Sequence, residues 1–294
     1  MKLKDNFHFY AVITIICWSA AYVLTRLAMR HFSAPSLGFL RYIVASCALI
    51  IFVIATKMKL PQIKDAQWFV MTGATGFFLY MLVFNKGCEI VNVSTSSVVL
   101  ATTPVITALL AHFIFKERLK FFQWTAIAVA FSGTVILTMS NGIFTVNTGL
   151  FWLFSAAILL SAYNLLQRKL TKTYSALQTS AFSIFAGTIM LAVFLPAAIN
   201  EVKSAPAIQW FYVVMLGIFP SAIAYVSWSK AFAVAKNTSS VSNYMFVTPF
   251  LTTLLGYLIS GETPDNSTIF GGIIILSGLY IFNFGNKRYL IPWS

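Results

Sequence analysis

The chain is poor in charge. Only 9% of its 294 residues are Asp, Glu, Lys or Arg, against roughly a quarter in a soluble domain, and 59% are hydrophobic. That balance excludes a soluble globular domain and marks an integral membrane protein. Acids are the scarcest charge: Asp5, Asp65, Glu89, Glu117, Glu201, Glu262 and Asp265 are all there are, and each falls at the end of an apolar run or between runs. Three histidines (His8, His31, His112) and three cysteines (Cys17, Cys47, Cys88) stand at no metal-ligand spacing, so no metal, cofactor or disulfide framework is expected. No Ser/His/Asp set and no carboxylate pair falls in the middle of a run, which speaks against an enzyme. Long polar or low-complexity stretches are missing too, leaving no room for a soluble domain. The net charge of +13 is carried by bases standing singly or in small groups, with no continuous stripe, so a nucleic-acid partner is not expected.

What fills the chain is a series of ten apolar runs, near 7–29, 35–56, 66–86, 92–115, 119–139, 149–168, 176–197, 208–230, 238–260 and 267–285. Each approaches the roughly 20 residues that cross a bilayer as a helix. Turn residues such as Ser33-Ala34-Pro35, Pro61, Asn141-Gly142, Pro206 and Thr263-Pro264-Asp265 fall between them. The first run follows Lys2 and Lys4 as a signal peptide would, but it is too long and lacks a cleavage site, and it is read as the first helix. The bases set the orientation, because cytoplasmic loops collect Lys and Arg. An internal N-terminus puts fifteen of the 20 on the cytoplasmic side and leaves out only Arg26, Arg30, Arg41, Lys86 and Lys203. Both termini are therefore expected to be cytoplasmic.

One stretch occurs twice. Val93 to Arg118 (VSTSSVVLATTPVITALLAHFIFKER) and Thr238 to Thr263 (TSSVSNYMFVTPFLTTLLGYLISGET) align without a gap at an offset of 145 residues. Ser94 meets Ser239, Thr103 meets Thr248, Pro104 meets Pro249 and Glu117 meets Glu262; outside the stretch Tyr80 meets Tyr225 and Gly133 meets Gly278. The chain is a tandem duplication, with a first five-helix repeat over 1–143 and a second over 144–294. Five is odd, so the copies are expected to enter the membrane in opposite senses, as in carriers whose site lies where the halves meet. Pro104 and Pro249 cannot donate to the carbonyls of Leu100 and Met245, which predicts a break in the fourth and ninth helices and makes these prolines the candidate hinges.

The run FIFKERLKFFQWTAIAVAFSGTVIL (Phe113 to Leu137) and its echo YLISGETPDNSTIFGGIIILSGLYI (Tyr257 to Ile281), with Trp18-Ser19 and Phe39-Leu40-Arg41, resemble the drug/metabolite transporter (DMT) superfamily, in its EamA-like ten-helix exporter branch. The resemblance implies an all-α integral membrane protein of ten transmembrane helices in two inverted five-helix repeats. It also implies a central cavity lined by helices one, three, four, six, eight and nine, and export of small metabolites. One position departs from the repeat: Ser183 stands near where a second Arg41 would fall.

Candidate substrate-binding residues are the aromatic and amide side chains inside runs: Trp18, Tyr22, Tyr80, Tyr163, Asn164, Tyr225, Trp228, Asn243 and Tyr244, with Thr103 at the first break. A buried phenol or indole needs a polar partner, which a solute can supply. The bland readings are an interfacial aromatic belt for the rings, helix-to-helix glue for the amides, and mending of freed carbonyls for the threonines. Arg41 is the one candidate for a charge role; reaching outward to the interface, or a structural pairing, is favoured over holding an anion. Glu117 and Glu262 end helices, where the dipole disfavours an anion, and each is expected to find a base or another helix's N-terminus. Ala126, Ala130, Gly133, Gly271 and Gly278 form small faces for close helix packing or for a dimer contact.

The expected function is transport, by alternating access through the cavity, of small metabolites such as amino acids or other neutral or zwitterionic solutes with an apolar part, aromatic ones included. Export is the expected direction. The alternative is an ion-coupled multidrug or cationic-compound exporter, with a channel or lipid flippase further behind. Expected partners are the small-molecule substrate and the lipid bilayer, for a monomer or homodimer in the bacterial cytoplasmic (inner) membrane.

Overall fold

The structure, a computed structural model, describes residues 6–115, 121–137, 139–140, 143–144, 148–235, 241 and 243–284. Nearly all of them are helical. The helices are α1 (Phe7–Ala28), α2 (Ala34–Ala55), α3 (Ile63–Ile90), α4a (Val93–Leu100), α4b (Thr103–Phe115), α5 (Phe121–Leu137), α6 (Thr148–Leu170), α7 (Ala176–Lys203), α8 (Ala207–Val234), α9 (Thr248–Ser260) and α10 (Asn266–Phe284). Met139–Ser140 and Ile143–Phe144 pair as a short antiparallel ribbon after α5. Seven helical stretches are long and apolar enough to cross a membrane, and three shorter apolar helices lie within α5, α9 and α10. α3 and α7 extend beyond the expected runs, through Glu89 and Glu201, because these acids and Lys86 occupy helix ends rather than helix breaks.

Local chemistry accounts for the helix ends. Asn6 accepts from the amide of His8 at 3.0 Å and Asn92 from that of Thr95 at 2.7 Å, two N-terminal caps. Ser175 and Gln178 form a reciprocal capping box at the start of α7. Gly261 ends α9 with φ +66°, a conformation that an L side chain resists, and lets the Glu262 amide turn back to the Gly256 carbonyl at 3.2 Å.

The helix contacts come in equivalent pairs when each helix of the first five is exchanged with its counterpart five places on. α1 packs on α8 and α9, as α6 packs on α3 and α4b; α2 packs on the middle of α8, as α7 packs on the middle of α3. α2 with α7 and α5 with α10 are their own counterparts. The same holds at the atomic level between α5 and α10. A Cβ on Gly133 would lie 2.7 Å from the carbonyl oxygen of Gly271, and one on Gly278 would lie 2.8 Å from that of Ala126. Since 133 maps to 278 and 126 to 271, this is one contact made twice, and the small faces serve packing within the chain.

Irregular turns repeat as well. α3 carries a wide, π-type turn over Ala74–Phe78 and α8 carries one over Gly217–Ile223, where Pro220 removes a donor and Ser221 Oγ gives its hydrogen to the Leu216 carbonyl at 2.8 Å. The expected breaks at the Thr-Pro pairs are present. α4a stops at Leu100 and α4b restarts at Thr103, while α9 is preceded by a tight 3-10 turn over Asn243–Val247. The Thr103 hydroxyl donates at 2.6 Å to the Leu100 carbonyl, the acceptor that Pro104 leaves bare.

Loops clasp one another across the fold. Glu201 accepts from Ser33 Oγ at 2.6 Å, the Ser33 amide at 2.9 Å and Ser36 Oγ at 2.9 Å, holding the start of α2 to the end of α7. At the counterpart place Tyr174 donates to Asp65 at 2.5 Å and Gln178 to the Lys59 carbonyl at 2.9 Å. The Asp65 carboxylate pushes the Tyr174 phenol's pKa above its ordinary value, because ionisation would break that bond and set two anions together.

Candidate functional site

The two halves meet around a small, partly enclosed cavity of about 30 Å³. α1 contributes Trp18, Ala21 and Tyr22, α2 contributes Arg41, α3 contributes Tyr80 and Phe84, and α8 contributes Tyr225. The two broken helices enter with Ser97, Leu100 and Ala101 from one and Met245 and Thr248 from the other, and α6 contributes Leu160. Each broken helix therefore presents the peptide region at its break to the cavity. This is the place where irregular backbone is tolerated at membrane depth.

Aromatic rings form the wall and continue beyond it. Tyr22 meets Phe84 edge-on at 5.4 Å, and Phe84 stacks on Tyr80 at 5.4 Å. Trp18 sits 5.3 Å from Tyr225 and 5.0 Å from Trp228, and its indole N–H donates at 3.2 Å to the carbonyl of Pro220 in the wide turn of α8. Behind Tyr225, the rings of Phe77, Tyr163 and Tyr42 pack edge-to-face.

Of the sequence candidates, Trp18, Tyr22, Tyr80, Tyr225 and Arg41 come together on the wall. Five others stand off it for identifiable reasons. The Thr103 hydroxyl is engaged by Leu100, as above. Tyr163 is fully buried against Phe77 and Tyr225. Asn164 and Trp228 bond to each other, the indole donating to Asn164 Oδ1 at 3.4 Å, one layer beyond Trp18. Tyr244 lies at the far end of α1, hydrogen-bonded to His8. The side chain of Asn243 lies outside the described residues, as does Glu117. Pro104 and Pro249 hold the first turns of α4b and α9.

Arg41 does not reach the interface and makes a structural pairing, the other reading favoured for it. Only 3% exposed, it turns away from the interface and into the cavity; Nε donates to Ser221 Oγ, Nη1 lies 3.9 Å from Met81 Sδ, and the guanidinium carbon is 5.7 Å from the centre of the Tyr42 ring. The cavity residues outside the sequence candidates are mostly apolar or small; Leu100 and Met245 carried a signal as the carbonyls four residues before the prolines, and Thr248 as the repeat counterpart of Thr103.

Contacts between the halves lie on either side of the cavity wall. Past Tyr22 and Phe84, Arg26 donates to the carbonyls of Cys88 at 2.7 Å, Glu89 at 3.0 Å and Val91 at 3.3 Å, and pairs with Glu262 at 3.6 Å. Glu262 in turn accepts from the Val93 amide at 3.1 Å, so it finds both a base and a helix N-terminus. Past Trp228, the ring of Phe232 and the bonded set Gln167, Ser229 and Ser180 fill the space.

Comparison with known proteins decides the family. The EamA-like transporter family model matches the chain twice, over residues 7–139 and 147–284. The chain belongs to the EamA-like transporter family. This EamA-like protein is similar to the probable terminal-alkyne amino-acid exporter of Streptantibioticus cattleyicolor, 29% identical over 280 residues that cover 94% of each chain. It is also similar to the S-adenosylmethionine uptake transporter of Rickettsia bellii, 23% identical over 277 residues, with 94% of this chain and 93% of that one covered. A solved crystal structure shares the fold with a TM-score of 0.64 at 18% identity, covering 95% of this chain and 99% of the other. As an EamA-like family member the protein is a multi-pass membrane transporter of small molecules.

Proposed function

We propose that the protein is an alternating-access carrier that exports small neutral or zwitterionic solutes with an apolar part, amino acids foremost, across the bacterial inner membrane. In this reading its ten helices all span the bilayer, as inverted repeats over 1–143 and 144–294 with both termini cytoplasmic. Arg26 and Glu262 then close the outer side of the cavity, and Trp228 and Phe232 close the inner side. The observation that carries the reading is the cavity itself: it lies between the halves and is walled by both helix breaks. In this reading the Arg26–Glu262 pair and the Trp228–Phe232 contact are what must part for a solute to pass. The paired helix contacts favour such rocking, since each movement at one side has a counterpart at the other.

The relatives' names favour amino-acid-like solutes but differ in direction, so export rests on the first of them. The test is counterflow in proteoliposomes of the purified chain, loaded with unlabelled amino acids and challenged with labelled ones. Saturable exchange is the expected result. Non-saturating leak would favour a channel, and no flux of any amino acid would overturn the reading.

A further inference from the structure

We propose that Arg41 anchors a carboxylate of the transported solute, with the Thr248 hydroxyl as its second contact, so that the carrier selects solutes bearing an acid group over their amide and amine counterparts. The inference rests on the carrier reading above and names the solute chemistry of that site.

A guanidinium stays protonated in any protein environment and presents five N–H donors in a planar fork shaped for a carboxylate. Arg41 is almost fully buried on the cavity wall, yet among the described residues only Nε has a strong acceptor, Ser221 Oγ; Met81 sulfur at 3.9 Å is a weak one. Among the described residues the ion pairs are Arg26 with Glu262 and Lys86 with Glu89, and no carboxylate stands within 4.0 Å of Arg41. A buried charge without a counter-charge is costly, and it is kept where it has work to do. Across the same cavity the Thr248 hydroxyl is buried and has no hydrogen-bond partner among the described residues, although its counterpart Thr103 bonds to Leu100.

The fold contains its own control for a purely structural role. A Cβ on Gly217 would lie 2.9 Å from the Arg41 carbonyl oxygen, and a Cβ on Gly73 would lie 2.9 Å from that of Ser183. The same backbone approach of helix on helix is thus made in the other half with a serine at the equivalent place. Packing α2 against α8 does not call for a cation. The charge also separates the two solute classes that an aromatic wall would otherwise accept alike. Ring faces attract a cationic drug, but a fixed guanidinium in a water-poor cavity repels it and attracts an acid.

The experiment is counterflow in proteoliposomes with three series: L-phenylalanine, L-leucine and L-methionine, each beside its amide and its decarboxylated amine. In the unaltered protein at least one acid is expected to exchange about tenfold or more faster than its amide and amine, the loss that follows from one charge-assisted hydrogen-bond pair. Arg41→Gln should bring the acid down to the amide's rate, and Arg41→Lys should restore part of the difference. Melting temperatures of the purified variants show whether they fold. If Arg41→Gln does not, the analogue series on the unaltered protein decides. An amide or amine that exchanges as fast as its acid overturns the assignment of Arg41 while leaving the carrier intact. Exchange of no member of any series overturns the carrier reading and this inference with it.

Discussion

The Arg26 guanidinium stands 3.6 Å from the Glu262 carboxylate, joining the end of α1 to the turn after α9 over the start of α4a. Their side chains are 32% and 23% exposed, so solvent screens the pair and its worth is about 1 kcal/mol. Glu262→Gln keeps an acceptor for the Val93 amide but removes the charge. About 1 kcal/mol shifts an open-to-closed ratio roughly fivefold. A cysteine placed at Ala101 on the cavity wall, in a chain with Cys17, Cys47 and Cys88 replaced, should react several-fold faster with an external thiol reagent when Glu262 is neutralised. An unchanged rate would mean that the pair does not hold the outer side shut.

Thr103 and Thr248 occupy equivalent places in the two breaks yet meet different surroundings. The first mends the Leu100 carbonyl, and the second is a cavity-lining residue whose hydroxyl is buried with no hydrogen-bond partner among the described residues. Replacing each by the near-isosteric valine should separate stability from transport. Thr103→Val leaves a buried carbonyl bare and should lower stability by about 1–3 kcal/mol, read as a falling melting temperature in detergent. Thr248→Val should leave melting unchanged and raise the KM for an exchanged amino acid several-fold. The opposite assignment of effects would reverse their roles.

The prolines are expected to act on motion. Pro104→Ala and Pro249→Ala give the helix back a donor and favour a continuous α4 and α9. Exchange rates should fall more than melting temperatures do. Parental rates in both variants would make the breaks packing features only.

Much of this fold was legible because membrane depth leaves the chain few choices. Length and hydropathy placed the helices, and the 145-residue register pointed to the paired contacts before any coordinate. The Gly133 and Gly278 contacts follow from that register, although which partner the small faces meet did not. The site was only half legible. Trp18, Tyr22, Tyr80 and Tyr225 were found because aromatic residues at depth are conspicuous, whereas Tyr163 and Trp228 carry the same signal and lie one layer behind. A sequence gives a residue's depth along a helix but not its angle about the axis when every face is apolar. Arg41 shows the same limit, since its distance from the helix end allowed a reach to the interface that its angle denies it.

The proposed topology has its own test. A reporter fused to the C-terminus that is active only in the cytoplasm should be active, and external labelling should reach cysteines placed at Ser204 and Thr263 but not at Lys59 or Thr173. Labelling of the second pair from outside would reverse the orientation.

The last expectation concerns energy coupling. Proton- and sodium-driven carriers place a titratable acid or a cluster of oxygens beside the solute. Here each described acid is engaged away from the cavity: Asp65 with Tyr174, Glu89 with Lys86, Glu201 with Ser33 and Ser36, Glu262 with Arg26, and Asp265 with the Thr268 amide at 2.6 Å. The cavity wall contains Arg41 and phenols but neither histidine nor carboxylate. No wall group with an ordinary pKa near neutrality can load or release a proton in step with the solute. The protein is therefore expected to let its solute run down its own gradient, with an exchange rate nearly flat between about pH 6 and about pH 8. Vesicles loaded with an exchanged amino acid, on which a proton or sodium gradient is imposed, provide the measurement. Accumulation well beyond the solute's own equilibrium, lost when one of these acids is neutralised, would place a coupling site where this geometry has none.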